Sequence, residues 1–350
     1  MTVRRFHHQV LERRVLFAKE PTPIREATEL RANLWIKDEG AIHPVYGGNK
    51  VRKLEFLLHG AGERVVTMGA AGSHHVLATA VHASRLGHRV EATAFPRPAS
   101  RHAREVLRAA TAWATIHPTS DHDAAVRRFH DLAGGATSLP AGGSSPVGTL
   151  GWVRAGLELA EQVARGDLPP PRRVFVPLGT AGTVVGAALG VRLGGLRSVV
   201  VAVRVVPVEW LRREEVARLG EQVASLLELG SFTARDLAIE FDDAALGAGY
   251  GEATPQGLAA IERGKAAGLR LEPTYTGKTL AAALDGALHE GPDLYWQTHS
   301  TVPLTSLLDV APRLRPELES MLLAGPDGGP VEPPAGSRPL VGGETEERTD

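Results

Sequence analysis

No cysteine occurs anywhere in the chain, which excludes disulfides, thiolate nucleophiles and cysteine-based metal sites. Neither sign of charge is in excess. The 39 Lys plus Arg face 40 Asp plus Glu, a formal charge of -1, so no global field draws the protein to nucleic acid or to an anionic membrane surface. No apolar run approaches the length of a membrane span. Residues 1–10 carry Arg4, Arg5, His7 and His8 but no apolar h-region of a secretion signal. A basic stripe interleaved with aromatics is missing, and so are the hydrolase elbow G-x-S-x-G in a strand-to-helix setting and the zinc motif H-E-x-x-H. The expected partner is therefore a small molecule, the expected location the cytoplasm, and nucleic acid and membrane are excluded as partners.

What is present alternates. Short β-branched runs at 65–68, 89–95, 174–176 and 199–206 are separated by helical patterns at 74–85, 101–112, 121–132 and 151–164. Strands and helices in this rhythm predict an α/β fold of mostly parallel twisted sheets flanked by helices. The 350 residues suit two such units, with a break near residue 150. From residue 325 the chain turns to Pro, Gly and acidic residues that cannot bury enough apolar surface, and a disordered tail is expected at 325–350.

Two segments carry chemistry. The first is Gly47-Gly48-Asn49-Lys50-Val51-Arg52-Lys53, a lysine at a Gly-rich turn where an amphipathic helix begins. An amine there, close to the helix dipole and to Lys53, loses its proton more easily than a solvated one, and a neutral lysine attacks aldehydes. Alone, such a pair is better read as a surface lysine after a turn. The second is Gly179-Thr180-Ala181-Gly182-Thr183-Val184-Val185-Gly186, directly after a strand. Glycines admit a ligand to the backbone amides, threonines add hydroxyls, and the next helix presents its positive end, a combination suited to phosphate. It is neither a Walker A loop nor a G-x-G-x-x-G fingerprint. A phosphate cradle with an activated lysine is what pyridoxal 5'-phosphate requires.

Five segments in order then resemble one family, the fold-type II pyridoxal-phosphate enzymes of the 1-aminocyclopropane-1-carboxylate deaminase and D-cysteine desulfhydrase group. They are Leu34-Trp35-Ile36-Lys37-Asp38-Glu39, the Lys50 segment, Pro140-Ala141-Gly142-Gly143-Ser144-Ser145-Pro146 with its following helix, the 179–186 loop, and Glu272-Pro273-Thr274-Tyr275-Thr276-Gly277-Lys278. The resemblance covers roughly residues 15–315. It implies a large cofactor-binding domain of residues 1–50 plus 151–324, a small domain of residues 51–150, and a homodimer. It also implies roles. Lys50 matches the Schiff-base lysine that also moves the proton, Ser73 the serine that holds the substrate carboxylate, and Tyr250 and Tyr275 two tyrosines near the reacting carbons. A phenol relays a proton if a nearby cation depresses its pKa. Asn49, Lys53, Gly179, Thr180, Ala181, Gly182 and Thr183 fall where the cofactor and its phosphate are held.

Thr276 stands where the deaminase branch has a glutamate for the pyridine nitrogen. A neutral hydroxyl hydrogen-bonds that nitrogen without pairing its charge, so the ring is a weaker electron sink. This favours α,β-elimination from a β-substituted alanine, giving an α-keto acid and ammonia, over cyclopropane ring opening. His74 replaces an asparagine that contacts the ring hydroxyl, and an imidazole can donate to the same oxygen. Residues 70–72 and 297–303 also depart from the family, which points to an unusual small amino acid as substrate. His74, His75 and His82 on one helix offer no metal spacing, since adjacent helical residues point apart, and no metal is expected. The alternatives are ring opening, a homologue that binds pyridoxal phosphate with another substrate or with no turnover, and a nicotinamide-dependent oxidoreductase using the 179 loop.

Overall fold

The apolar run beginning at Val199 is a strand, Val199–Arg204, paired in parallel on both edges and buried apart from its first residue. A strand without a polar face needs cover above and below, and the chain supplies helices for both. The computed structural model describes residues 8–230, 232–285 and 291–323, so the tail expected at 325–350 lies outside the described residues.

In chain order the strands are β1 (Ile24–Glu26), β2 (Leu34–Asp38), β3 (Arg64–Ala70), β4 (Arg89–Phe95), β5 (Arg97–Pro98) and β6 (Thr115–Pro118). They continue as β7 (Thr137–Leu139), β8 (Arg173–Leu178), β9 (Val199–Arg204), β10 (Ile239–Asp242), β11 (Asp293–Gln297) and β12 (Leu322–Leu323). The helices begin with α1 (Lys50–Leu57), α2 (His74–Arg85), α3 (Arg101–Ala110), α4 (His122–Ala133), α5 (Pro146–Arg165) and α6 (Gly182–Leu193). After them come α7 (Arg213–Leu226), α8 (Pro255–Ala266), α9 (Thr276–Asp285), α10 (Thr305–Asp309) and α11 (Pro316–Glu319). One sheet has the order β1-β2-β11-β8-β9-β10 and is parallel except at its edge β1. The other, β6-β4-β3-β7, is parallel throughout. Both are the mostly parallel, helix-flanked sheets read from the strand–helix rhythm.

Local signals set the boundaries. Ser73 caps α2 by accepting the Val76 N–H, and Asp121 caps α4 by accepting the Ala124 N–H. α5 starts at Pro146, five residues before the pattern predicts, because Ser145 caps it and proline fits the first turn. It stops at Gly166 in the left-handed region, φ 84°.

Residues 304–323 pack differently from the sequence expectation, which gave them to the large unit. Leu307, Leu318, Met321 and Leu322 enter the core around the four-stranded sheet, and β12 pairs with β5. The physical reason is the apolar side of α3, whose Arg108 ties down the carbonyls of Leu308, Ala311 and Pro312.

Two features position the cleft between the sheets. α5 and α6 cross through glycines: a Cβ on Gly190 would lie 2.1 Å from the Val153 carbonyl oxygen, and one on Gly156 2.6 Å from the Val191 nitrogen. This close crossing sets the first turn of α6 at the cleft. Beneath α1, Arg52 donates to Glu39 (2.6 and 3.1 Å), to Glu158 on α5 (3.0 and 3.1 Å) and to Glu20 (2.8 Å). Lys37 on β2 adds a 2.5 Å bond to Glu158, and the Trp296 indole donates to Glu39. The network ties α1, which carries Lys50, to the larger sheet.

The chain leaves β2 through residues 39–49, which run beside residues 297–300. Glu39 donates to the Gln297 carbonyl and Asn49 to the Thr298 carbonyl. Only glycine fits at Gly48, whose φ is 85° and where a Cβ would sit 2.8 Å from the Thr298 oxygen.

Candidate active site

Parallel strands of both sheets end at one cleft, the usual ligand position in open α/β folds. β3 delivers the turn before Ser73 and α2, β8 delivers residues 179–181 and α6, and β11 delivers residues 298–300. Lys50, Asn49, Ser73, His74, Gly179, Thr180, Ala181, Thr183, Tyr250, Tyr275 and Thr276 all line this one pocket. Two residues from the sequence reading, Lys53 and Gly182, lie immediately behind its wall.

Lys50 opens α1, and among the described residues its Nζ reaches only the Gly142 carbonyl, at 3.5 Å. Burial lowers its pKa to about 8. The sequence argument named the helix terminus and Lys53 as causes; desolvation is the cause in the structure, because the amine is enclosed without a counter-ion.

At the other end of the pocket, Ala181 adopts φ 64° and starts α6. Gly182 donates to Ser144 Oγ, which also contacts Thr180 Oγ1 at 2.7 Å and Lys53 Nζ at 2.9 Å. A Cβ on Gly182 would meet Ser144 Oγ, Lys53 Nζ and Thr149 Oγ1 at 2.8, 2.9 and 3.0 Å. Lys53 bonds the Gly142 carbonyl but no carboxylate, and burial, then the charge of Lys50, holds its pKa well below the usual lysine value. The Thr149 hydroxyl is buried without a partner. A buried cation lacking an anion, an orphaned hydroxyl and a helix N-terminus at one point fit a phosphate. With Lys50 at the far end of the same pocket, the residues fit pyridoxal phosphate. Asn49 joins the two ends, its Nδ2 donating to Thr183 Oγ1 at 3.2 Å.

Other expectations are amended. The Tyr250 and Tyr275 hydroxyls are 2.9 Å apart, yet burial and then Tyr250 push the Tyr275 pKa well above that of a free phenol. Tyr275 is a hydrogen-bonding hydroxyl, not the acidified phenol the sequence argument required. Thr276 Oγ1 accepts the Glu272 N–H at 2.9 Å and directs its proton to Glu272. Both ring nitrogens of His74 are engaged, Nδ1 with the Tyr46 hydroxyl and Nε2 with His102 Nε2 at 3.0 Å. The expected donation from His74 to a ring hydroxyl therefore has no unengaged N–H. His75 turns to Thr67 and His82 to the Tyr46 carbonyl, so the three α2 histidines do diverge.

Sequence reasoning missed several residues. His102 from α3 and His299 beyond β11 join His74, with ligand nitrogens within 4.8 Å of one another. Burial, ahead of neighbouring charges, lowers all three pKa values, that of His299 to about 4. Glu272 lines the pocket with its carboxylate accepting the N–H groups of Thr274, Tyr275 and Thr276. Arg97 on β5 also lines it, its guanidinium over the Tyr250 ring at 5.7 Å. His102 and Arg97 belong to no segment that carried the resemblance, His299 lies in the 297–303 stretch that departs from it, and Glu272 opens the last of its segments without having been given a role.

The chain is similar to several known proteins. A family profile described as "Pyridoxal-phosphate dependent enzyme" matches residues 15–295. Nocardicin C-9' epimerase of Nocardia uniformis subsp. tsuyamanensis is 37% identical over 283 residues, covering 76% of this chain and 86% of that protein. D-cysteine desulfhydrase of Klebsiella pneumoniae subsp. pneumoniae is 30% identical over 305 residues, covering 79% of this chain and 91% of that protein. The crystal structure of an ACC deaminase homologue superimposes with a TM-score of 0.72 at 24% identity, covering 87% of this chain and all of that one, and shows the shared fold.

Proposed function

Because the chain belongs to the family of pyridoxal-phosphate dependent enzymes, we propose that it is a lyase that eliminates the β-substituent of a small amino acid, in the manner of a D-cysteine desulfhydrase, releasing an α-keto acid and ammonia. The observation that carries this reading is the single pocket holding Lys50 at one end and the anion cradle of Lys53, Thr149 and residues 179–183 at the other. The named desulfhydrase relative, at 30% identity, supports the reaction class.

When bound, pyridoxal phosphate supplies an electron sink beside the substrate amine. Lys50 would hold the cofactor through its aldehyde, and its Nζ, set free when the substrate amine takes that place, would accept the Cα proton as the β-substituent departs with its bonding pair, water then releasing the keto acid and ammonia. Ser73 and the first amides of α2 hold the substrate carboxylate. The Tyr250–Tyr275 pair donates toward the departing group, and Asn49, Lys53 and residues 179–183 hold the phosphate. Thr276 would meet the ring nitrogen with a neutral hydroxyl, which pairs no positive charge there and so disfavours the strong sink that ring opening needs. The enzyme works in the cytoplasm as a homodimer, as the resemblance implies.

A second reading, inversion of a stereocentre without elimination, is supported by the 37% identical epimerase and by the imidazoles of His74 and His299, held by burial toward their uncharged form in the pocket that Lys50 lines. Inversion needs two groups able to move a proton at one carbon, and elimination needs one. Ammonia and keto-acid release from D- and L-cysteine, chloroalanine, cysteate, diaminopropionate and 1-aminocyclopropane-1-carboxylate, run in parallel with Cα deuterium uptake, separates the two. Deuterium uptake with change of configuration and no ammonia would displace elimination.

A pKa of about 8 at Lys50 has its own consequence. Recombination of the apoprotein with pyridoxal phosphate is expected to accelerate about tenfold per pH unit below pH 8 and to level off above it, as the neutral amine becomes the main form. Absorbance stopped-flow reads this, and a profile still climbing at pH 10 would contradict the assignment.

A further inference from the structure

Arg97 differs from five well-buried arginines that anchor this fold. Arg14, Arg31, Arg52, Arg173 and Arg204 each end on a carboxylate. Among the described residues no carboxylate lies within ion-pair distance of Arg97, and its Nε is buried without a hydrogen-bond partner. Glu272, in the same pocket, is committed to three backbone N–H groups. The backbone of Arg97 is held rigidly: its N–H donates to the Met321 carbonyl at 3.1 Å, and β5 pairs with β12. A half-buried guanidinium with unused donors, fixed over a tyrosine face, is stabilised when an anion meets it.

The anions that the reaction itself provides have other stations. Lys53, Thr149 and the α6 terminus take the phosphate, and Ser73 with the start of α2 takes the α-carboxylate. Arg97 is left over. We propose that Arg97 binds a second anionic group on the substrate, so that the amino acid this pocket takes has a carboxylate or sulfonate at the end of its side chain. The proposal rests on the reading above that the pocket holds an amino acid at Lys50.

Its surroundings agree. The guanidinium lies over the Tyr250 ring, whose hydroxyl bonds that of Tyr275, and His74 and His102 are within reach of its field. The His74–His102–His299 cluster contains no carboxylate, and Arg97 and Lys50 both bias His74 against positive charge. At His102 and His299 the Glu272 carboxylate acts in the opposite sense, so the positive field of Arg97 and Lys50 is felt chiefly at His74.

Ligands without an α-proton isolate binding from turnover. Isothermal titration of the holoenzyme with α-methylaspartate and α-methylasparagine is expected to show the acidic ligand bound about 10- to 100-fold more tightly. In Arg97→Gln that ratio falls to about one, and in Arg97→Lys part of it survives. Equal affinities in the wild type, or a ratio unchanged in Arg97→Gln because both ligands weaken alike, would overturn the assignment; the latter would put the arginine on the α-carboxylate. A borohydride-fixed chromophore at Lys50, measured on the same preparations, tests the cofactor reading separately. Protein lacking it that still prefers the acidic ligand through Arg97 refutes that reading and keeps the subsite, whereas coloured protein without the preference does the reverse.

Discussion

Lys50→Ala is expected to abolish the borohydride-stable chromophore and to lower turnover by about four orders of magnitude or more, since it removes both the covalent anchor and the proton carrier. The fold should survive. The Lys50 amine makes one long contact, 3.5 Å to the Gly142 carbonyl, and sits in the pocket at a cost in desolvation, so alanine forfeits little native stabilisation. An unchanged melting temperature with loss of colour and activity supports the assignment; full turnover in the variant would end it. Phosphate contacts remain, so the variant should still bind the cofactor, but noncovalently and weakly enough to lose it on gel filtration.

The second large effect is on stability. Arg52→Ala leaves Glu39 and Glu158, both buried, without the guanidinium that bridges them, and is expected to destabilise the protein by about 3–5 kcal/mol in chemical denaturation. Burial alone would raise the Glu158 pKa, but the charges of Arg52 and Lys37 hold it down to about 2. A carboxylate whose folded pKa is depressed contributes stability above its ordinary value of 4.5 and loses that contribution as pH falls toward 2. The difference between wild type and Arg52→Ala should therefore shrink on acidification below about pH 4.5. A difference under 1 kcal/mol at pH 7 would mean that water replaces the arginine and that the network is worth little.

The strands and helices of the smaller unit were legible because their signals are local. Ser73 and Asp121 announce helix starts and the β-branched run at 89–95 announces a strand, as 199–204 does in the larger sheet, whereas the start of α5 at Ser145 was read five residues late. Lys50 and the 179 loop were legible because each is a contiguous motif, and their meeting in one pocket is what two parallel sheets facing a cleft provide. His102 was not legible, since in an amphipathic helix that follows a serine cap it reads as solvent-facing, and only the packing of α3 against α2 brings it to His74. Thr149 was hidden for the same reason, because the glycine crossing of α5 and α6 is visible only once both helices are placed. The acidity expected of Tyr275 came out reversed, because burial outweighs any nearby cation and sequence does not report burial. The fate of residues 304–323 turned on a long-range pairing, β12 with β5, for which no local pattern exists.

The passage from β2 to α1 has one more implication. Residues 39–49 form one of the covalent spans joining the two sheets, laced to the span at 297–300 by the Glu39–Gln297 and Asn49–Thr298 bonds, and Lys50 is the first residue beyond them. Because Arg52 fixes α1 to Glu39 and Glu158, the reactive amine would stay with the larger half were the two to swing together over a substrate, and closure would carry Ser73 toward a stationary nucleophile.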